Sequence, residues 1–128
     1  MNRSELVFVY GRLRTGFWNQ FLLGRRNPLG TARTVHKYAL YASRMPYVRT
    51  DRPICPVWGE VYAVNARTLR DLDSLMSHPS WYQRREVPVE FGDRRTMTAW
   101  MYTRRGDGGV LVKTGDLLDR TVAVAEPD

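Results

Sequence analysis

The glycine-rich turn after the first apolar run is the segment of this sequence best suited to bind a ligand. Leu6–Tyr10 is rich in β-branched and aromatic residues, which is typical of a buried strand. The glycine that follows lets a ligand approach the main chain closely. Main-chain N–H groups beyond the end of a strand can hold a carboxylate or an oxyanion. The pattern therefore predicts an anion site at Tyr10, Gly11, Arg12 and Leu13.

The guanidinium of Arg12 admits two interpretations at the mouth of such a site. It would strengthen the binding of a carboxylate through charge-assisted hydrogen bonds. Alternatively, it fills space beside the turn without contacting a ligand. The residue type alone leaves both interpretations open.

Three residues in the middle of the chain have side chains that could move a proton. Glu60 lies within an apolar run, Asp73 lies in a helical pattern, and His78 follows that pattern. Histidine has the unperturbed pKa closest to neutral pH. Each also has a structural interpretation: Glu60 pairs with an arginine, Asp73 is a helix-surface acid, and His78 is a loop residue without a role. Glu86 and Glu90 alternate along a strand and are expected to face solvent.

The sequence offers little support for a metal or thiol site. Cys55 is the single cysteine and has no histidine at a recognisable spacing, so we do not expect a nucleophile. One cysteine and two widely spaced histidines do not form a zinc site. The Gly106–Gly109 segment is read as a turn because no helical pattern follows it directly. We expect no metal and no cofactor.

The elements that must position these residues form an α+β pattern. A short helix is predicted over Phe17–Leu23, and one main helix runs from the Asn65 cap to Met76 with leucines at helical spacing. Arg104–Gly109 is expected to be a mobile polar loop. The predicted strands are Leu6–Tyr10, Leu29–Ala42, Val57–Val64, Trp81–Phe91, Thr96–Thr103 and Val110–Val112. This order predicts strands curled around a core with the main helix packed outside.

Length and charge restrict the class of protein. The 128 residues correspond to one domain spanning 1–128, and a lone cysteine suits a cytoplasmic protein without disulfides. The apolar run near the N-terminus is too short for a signal peptide or a membrane span. The net charge of +7 invites a nucleic-acid partner, but the basic residues are scattered and form no continuous stripe. We therefore expect a small-molecule ligand, no membrane partner and no nucleic acid; the oligomeric state stays open.

Several segments in order resemble the gamma-glutamylcyclotransferase-like superfamily. The resemblance begins at Val9-Tyr10-Gly11-x-Leu13-x-x-Gly16-x-x-Asn19 and continues at Met45-Pro46. It resumes at Val57-x-Gly59-Glu60-Val61-Tyr62, at Leu72-Asp73-x-Leu75, and at Pro79-x-x-Tyr82-x-Arg84. It ends with Ala99-Trp100-Met101-Tyr102, and Gly115–Arg120 is similar to the tail of a short bacterial branch. The resemblance covers nearly the whole chain.

The resemblance implies a small mixed β-barrel with one packed helix and a cavity at the end of the first strand. It implies that the tyrosine-glycine turn binds the α-carboxylate end of a gamma-glutamyl group. A glutamate after Leu-Asp-x-Leu would move the proton of the α-amine, which attacks the gamma-carbonyl and releases an amine and 5-oxoproline. Tyr82 and Tyr102 match family positions near the cavity, where they either donate to a ligand or simply pack.

The chain departs from the family pattern at Met76, which occupies the position of that glutamate. A thioether has no proton to exchange at neutral pH. We therefore expect a gamma-glutamylcyclotransferase-like protein whose cavity takes a gamma-glutamyl or similar carboxylate, with the standard cyclotransferase mechanism disabled. If it is active, His78 or Glu60 is the candidate relocated base. The alternative is a non-catalytic module that binds or senses a metabolite.

Overall fold

The computed structural model describes residues 4–10 and 27–117 of the chain. They form eight strands and one helix, which we number in chain order. The helix, α1, is Ala66–Leu75. The strands are β1 Glu5–Val9, β2 Gly30–Thr34, β3 Ala39–Ala42, β4 Tyr47–Arg49, β5 Trp58–Val64, β6 Gln83–Phe91, β7 Thr96–Thr103 and β8 Val110–Leu111.

Five strands form a closed barrel in the order β1-β5-β2-β6-β7. The neighbours pair antiparallel except β1 and β7, which are parallel with Val7 opposite Trp100. The mixed barrel and the packed helix α1 therefore confirm the predicted α+β fold. Because β1 and β7 run in the same direction, their carboxyl ends meet at one end of the barrel.

The alternation of side chains divides the core into two clusters. Val57 and Val61 pack with Phe8 in the first cluster, whereas Tyr62 and Val64 belong to the second. Successive residues of a strand point to opposite faces, which explains this division. The second cluster includes Leu69 and Leu72 of α1, and Leu75 packs against it, so it lies between the barrel wall and the helix.

The ends of α1 follow the cap predicted from the sequence. The side-chain Oδ1 of Asn65 accepts a hydrogen bond of 2.8 Å from the main-chain N–H of Thr68. This bond satisfies one of the free donors at the helix N-terminus. Met76 is the C-terminal cap, and its N–H donates to the carbonyl oxygen of Leu72 at 2.9 Å.

Three strands outside the barrel correct the sequence-based assignment. The predicted strand Leu29–Ala42 is two strands, because β2 pairs within the barrel whereas β3 pairs with β4 and β8 in a separate sheet. The chain must turn between those two sheets. β4 is a three-residue strand that the sequence analysis missed. The predicted helix Phe17–Leu23 lies outside the described residues.

The β6–β7 hairpin agrees with the prediction, with Gln83 opposite Thr103 and Glu90 opposite Thr96. Within residues 4–10 and 27–117, no helix has the length and apolar character needed to cross a bilayer.

Candidate functional site

Tyr10 marks the end of β1, where the sequence predicts an anion site. Its ring is 7% exposed, and its hydroxyl donates to the main-chain carbonyl oxygen of Tyr102. Burial raises the pKa of the Tyr10 hydroxyl well above its ordinary value, and the nearby Tyr82 raises it further while Arg104 lowers it. Tyr10 is therefore a neutral phenol at this end of the barrel. The other predicted turn residues, Gly11, Arg12 and Leu13, lie outside the described residues.

Met76 ends α1 inside the second core cluster. Its side chain is 6% exposed, and the cluster includes the rings of Tyr82 and Tyr102. The carbonyl oxygen of Met76 accepts a hydrogen bond of 3.2 Å from the N–H of Tyr82, which ties the end of the helix to the start of β6. The position at which the family resemblance expects a carboxylate thus holds a buried apolar side chain.

Asp73 lies one helical turn before Met76 and contacts two residues of the barrel. Its Oδ1 accepts hydrogen bonds from the Tyr102 hydroxyl at 2.7 Å and from Arg84 Nε at 2.8 Å. Arg84 stacks on Trp100, with 4.2 Å between the guanidinium carbon and the ring centroid. Burial, followed by the hydrogen bond to Asp73, raises the pKa of Tyr102 far above its ordinary value.

This contact overturns the interpretation of Asp73 as a helix-surface acid. The Asp73 side chain is 19% exposed and that of Arg84 is 20% exposed. Helical periodicity could place Asp73 near Met76, but only the packing of α1 against β6 and β7 shows its partners. The sequence analysis noted Arg84 within the family motif but did not identify it as a partner of Asp73.

His78 is connected to the same cluster through its ring. Nδ1 accepts a hydrogen bond of 3.2 Å from the main-chain N–H of Arg84, and the His78 N–H donates to the carbonyl oxygen of Asp73 at 2.9 Å. A main-chain N–H can only donate, so Nδ1 is the acceptor in this hydrogen bond. The lone pair of Nδ1 is therefore already used within the protein.

Glu60 lies on β5 opposite Val9, next to the end of β1. Its Oε1 accepts a hydrogen bond of 3.2 Å from the Tyr62 hydroxyl. The described part of the chain contains no arginine within ion-pairing distance of Glu60, so the predicted Glu60–arginine pair is not found there. Glu60 is therefore separate from the hydrogen-bonded group around Asp73.

Tyr82 is buried and its hydroxyl binds main chain. The hydroxyl lies 2.7 Å from the carbonyl oxygen of Pro46, to which it donates, and burial raises its pKa. A phenol has one proton to donate. In this arrangement the protons of Tyr82 and Tyr102 are both used within the protein, and both residues are almost fully buried.

Arg104 is a residue of this region that the sequence analysis placed in a mobile loop. Its main-chain N–H donates to Val48 at 3.1 Å, and its guanidinium stacks on the Tyr47 ring at 4.2 Å. The Tyr47 hydroxyl donates to the carbonyl oxygen of Gly108 at 2.6 Å, which fixes the loop from the other side. No local pattern identifies Arg104, because its contacts come from distant segments.

The remaining candidates do not form a site. Cys55 is half-buried, and burial raises the pKa of its thiol, which disfavours the reactive thiolate. Among the described residues, no three histidine, cysteine, aspartate or glutamate side chains are grouped to hold a metal ion.

Comparison with known proteins identifies the family. The profile described as "Gamma-glutamyl cyclotransferase, AIG2-like" matches residues 7–119. The protein MJ1514 of Methanocaldococcus jannaschii is 40% identical over 116 residues, which cover 90% of this chain and 97% of that protein. The gamma-glutamylcyclotransferase family protein YtfP of Escherichia coli is 34% identical over 116 residues, covering 89% and 96%.

A solved structure shares the fold. The crystal structure of an AIG2-like protein from Mus musculus matches with a TM-score of 0.76 at 24% identity, covering 98% of this chain and 97% of the mouse chain. Sequence and fold agree, and the chain belongs to the AIG2-like gamma-glutamyl cyclotransferase family.

Proposed function

We propose that this protein binds a gamma-glutamyl or similar carboxylate-bearing compound at the end of β1 and does not catalyse its cyclisation through position 76. The family name of the Escherichia coli relative supports the ligand class. The observation that carries the proposal is Met76, a thioether 6% exposed among aromatic rings. A turn that binds the ligand, combined with the lack of a basic side chain at position 76, indicates a binding protein rather than an efficient enzyme.

The chemistry of cyclisation explains why the side chain at this position matters. The α-amine forms a bond to the gamma-carbonyl carbon, the bond from that carbon to the leaving amine breaks, and a proton moves from the attacking to the leaving nitrogen. A positioned base contributes about 10²–10⁴-fold to such a step. Met76 has no basic group at neutral pH. The accepting nitrogen of His78 is already bound to a main-chain N–H, so that ring does not replace the missing carboxylate.

A second candidate is a cyclotransferase with a relocated acid–base pair. The contact that favours it is the 2.7 Å hydrogen bond from the Tyr102 hydroxyl to Asp73 Oδ1. In this alternative Tyr102 takes the amine proton while passing its own to Asp73. The ion pair with Arg84 opposes protonation of Asp73, because a neighbouring cation favours the carboxylate form.

Release of 5-oxoproline from gamma-glutamyl-alanine and from gamma-glutamyl-ethylamide tests whether the protein catalyses cyclisation. We expect no turnover by the wild type or by Met76→Gln, and turnover by Met76→Glu. Glutamine matches glutamate in size and lacks its basicity, so the difference in turnover between these two variants measures the effect of the carboxylate. Wild-type turnover that disappears in a folded Asp73→Asn variant would instead support the second candidate.

Thermal unfolding in the presence of the same two compounds tests whether the protein binds this class of ligand. A ligand present at 100 times its dissociation constant stabilises the folded protein by about 2.7 kcal/mol. We expect stabilisation by at least one compound, recovered unchanged. Absence of stabilisation by both compounds at millimolar concentration would refute the proposed ligand class.

A further inference from the structure

Arg104 is enclosed by three aromatic rings. The distances from its guanidinium carbon to the ring centroids are 4.2 Å for Tyr47, 5.2 Å for Tyr82 and 5.3 Å for Trp81. One terminal nitrogen donates to the carbonyl oxygen of Met45 at 3.1 Å. These contacts hold the guanidinium in one orientation, and planar stacking of this kind is specific to arginine rather than lysine.

The held guanidinium keeps an unused donor. Its Nε is buried and has no hydrogen-bond partner, and it is the one buried side-chain nitrogen or oxygen of the described residues in that condition. Leaving a charged donor unpaired is unfavourable, which makes it a candidate for a ligand contact. Across residues 4–10 and 27–117, no carboxylate forms an ion pair with Arg104.

Asp51 lies beside the same surface pocket as Arg104 and is already paired with other arginines. Asp51 accepts two hydrogen bonds from Arg49, at 2.9 Å and 2.7 Å, and lies 3.8 Å from Arg105. The hydrogen bond from Arg49 is the main cause that lowers the pKa of Asp51 to about 2. The carboxylate of Asp51 is thus bound by other arginines, and Arg104 has no internal counter-ion.

Arg104 lines a surface pocket of about 230 Å³. The other lining residues are polar or charged: Thr50, Asp51, Gln83, Arg85, Thr103 and Arg105. Whole-ligand pockets are typically about 300–1,000 Å³, so this pocket suits one end of a ligand. The lining contains three arginines and one carboxylate that is already paired with arginine, so the pocket is electropositive.

Arg104 lies toward the end of the barrel at which β1 ends. It directly follows β7, which is parallel to β1, and it is close enough to lower the pKa of Tyr10. An anionic group in the pocket would therefore lie near a ligand held at the Tyr10 turn.

We propose that Arg104 is a specificity-determining residue that binds a second carboxylate of the ligand, on the amine side of the gamma-glutamyl bond. The protein then selects gamma-glutamyl compounds whose amine part bears a carboxylate over those with an uncharged amine part. This inference rests on the proposed function, which places the glutamyl end at the Tyr10 turn. The guanidinium fork suits a carboxylate because it offers parallel N–H donors.

Gamma-glutamyl-alanine and gamma-glutamyl-ethylamide form a matched pair for the test, because they differ only by that carboxylate. A hydrogen bond to a charged group contributes about 1.5–3 kcal/mol, so the wild type should bind the alanine compound about 10–100-fold more tightly. In Arg104→Gln the preference should fall to about twofold or less. Arg95→Gln removes the same charge at a site paired with Asp93, away from this pocket, and should keep the preference.

Two outcomes would overturn the inference: equal affinities in the wild type, or an unchanged preference in Arg104→Gln. If Arg104→Gln does not fold, Arg104→Lys takes its place; it keeps the charge but loses the fork, and should reduce the preference.

If neither gamma-glutamyl compound binds, the proposed function fails. Binding of a carboxylate at Arg104 is then tested by a separate experiment. The Nε–H NMR signal of Arg104 is then followed during titration with N-acetyl-alanine, which has the carboxylate but no glutamyl group. A saturable shift of that signal, absent on titration with N-acetyl-ethylamine, supports the subsite. An unmoved signal overturns it.

Discussion

Asp73→Ala is expected to destabilise the protein by removing the link between α1 and the barrel. The substitution leaves the hydroxyl of Tyr102, a residue 2% exposed, without its 2.7 Å acceptor, and leaves Arg84 without its ion-pair partner. An unsatisfied buried hydroxyl costs about 1–3 kcal/mol, and a partly exposed ion pair contributes up to about 1 kcal/mol. The expected loss in the free energy of unfolding is therefore about 1–4 kcal/mol.

Chemical denaturation and calorimetry measure this loss. For a chain of this length, 1 kcal/mol corresponds to about 4 °C, so the melting temperature should fall by about 4–16 °C. Asp71→Ala is the matched control, because Asp71 is an exposed acid on the same helix. Its loss should stay within about 0.5 kcal/mol. Asp73→Asn keeps an acceptor for Tyr102 and should lose less than Asp73→Ala.

A double-mutant cycle with Tyr102→Phe separates the two contacts of Asp73. Residues in direct contact show coupling energies of about 0.5–3 kcal/mol. The reasoning would be refuted if Asp73→Ala matched Asp71→Ala in stability, or if the coupling between Asp73 and Tyr102 were zero within error.

Three further predictions follow from burial, packing and charge. Burial should raise the pKa of a glutamate in Met76→Glu, so its stability relative to Met76→Gln should fall as pH rises from about 4 to 8; parallel stability profiles would contradict this. Gly59→Ala should destabilise by about 1–3 kcal/mol or more in denaturant, because its Cβ would lie 2.2 Å from a main-chain oxygen of β1. Gly92→Ala, with no atom within 4 Å, is the control and should be nearly neutral. The contribution of Asp51 to stability should be complete above pH about 4 and be lost as pH falls toward its pKa of about 2. An NMR titration of the Asp51 carboxyl group should give a midpoint near that pKa. In Arg49→Gln the midpoint should rise toward the ordinary value of an aspartate; an unchanged midpoint would show that Arg49 does not lower the pKa of Asp51.

The elements with strong local patterns could be predicted from the sequence. The alternation in β5 separates Val61 from Tyr62, and these residues do lie in different core clusters. The cap at Asn65 and the β6–β7 hairpin also follow from neighbouring residues. The separate strands β3 and β4 do not, because three or four residues carry too little pattern and depend on their pairing partners.

The candidate site was only partly predictable. The end of β1 and the presence of Met76, where the resemblance implies a glutamate, can be read directly from the sequence, since both depend on residue type and order. The contact of Asp73 with Tyr102, 29 residues away, could not be predicted in this way. Local periodicity indicates which face a residue occupies, but it does not identify what packs on that face.

The sequence by itself determined the family pattern, the barrel-forming strands and the presence of a thioether, which has no basic group, at position 76. Only the tertiary structure decided which charged side chains have partners. Asp73 is bound by Arg84, whereas Arg104 is held by three rings from two segments and keeps a free donor. The physical reason is that charge pairing depends on distances of a few ångströms between groups far apart in the chain, and those distances are set when β7 closes the barrel against β1.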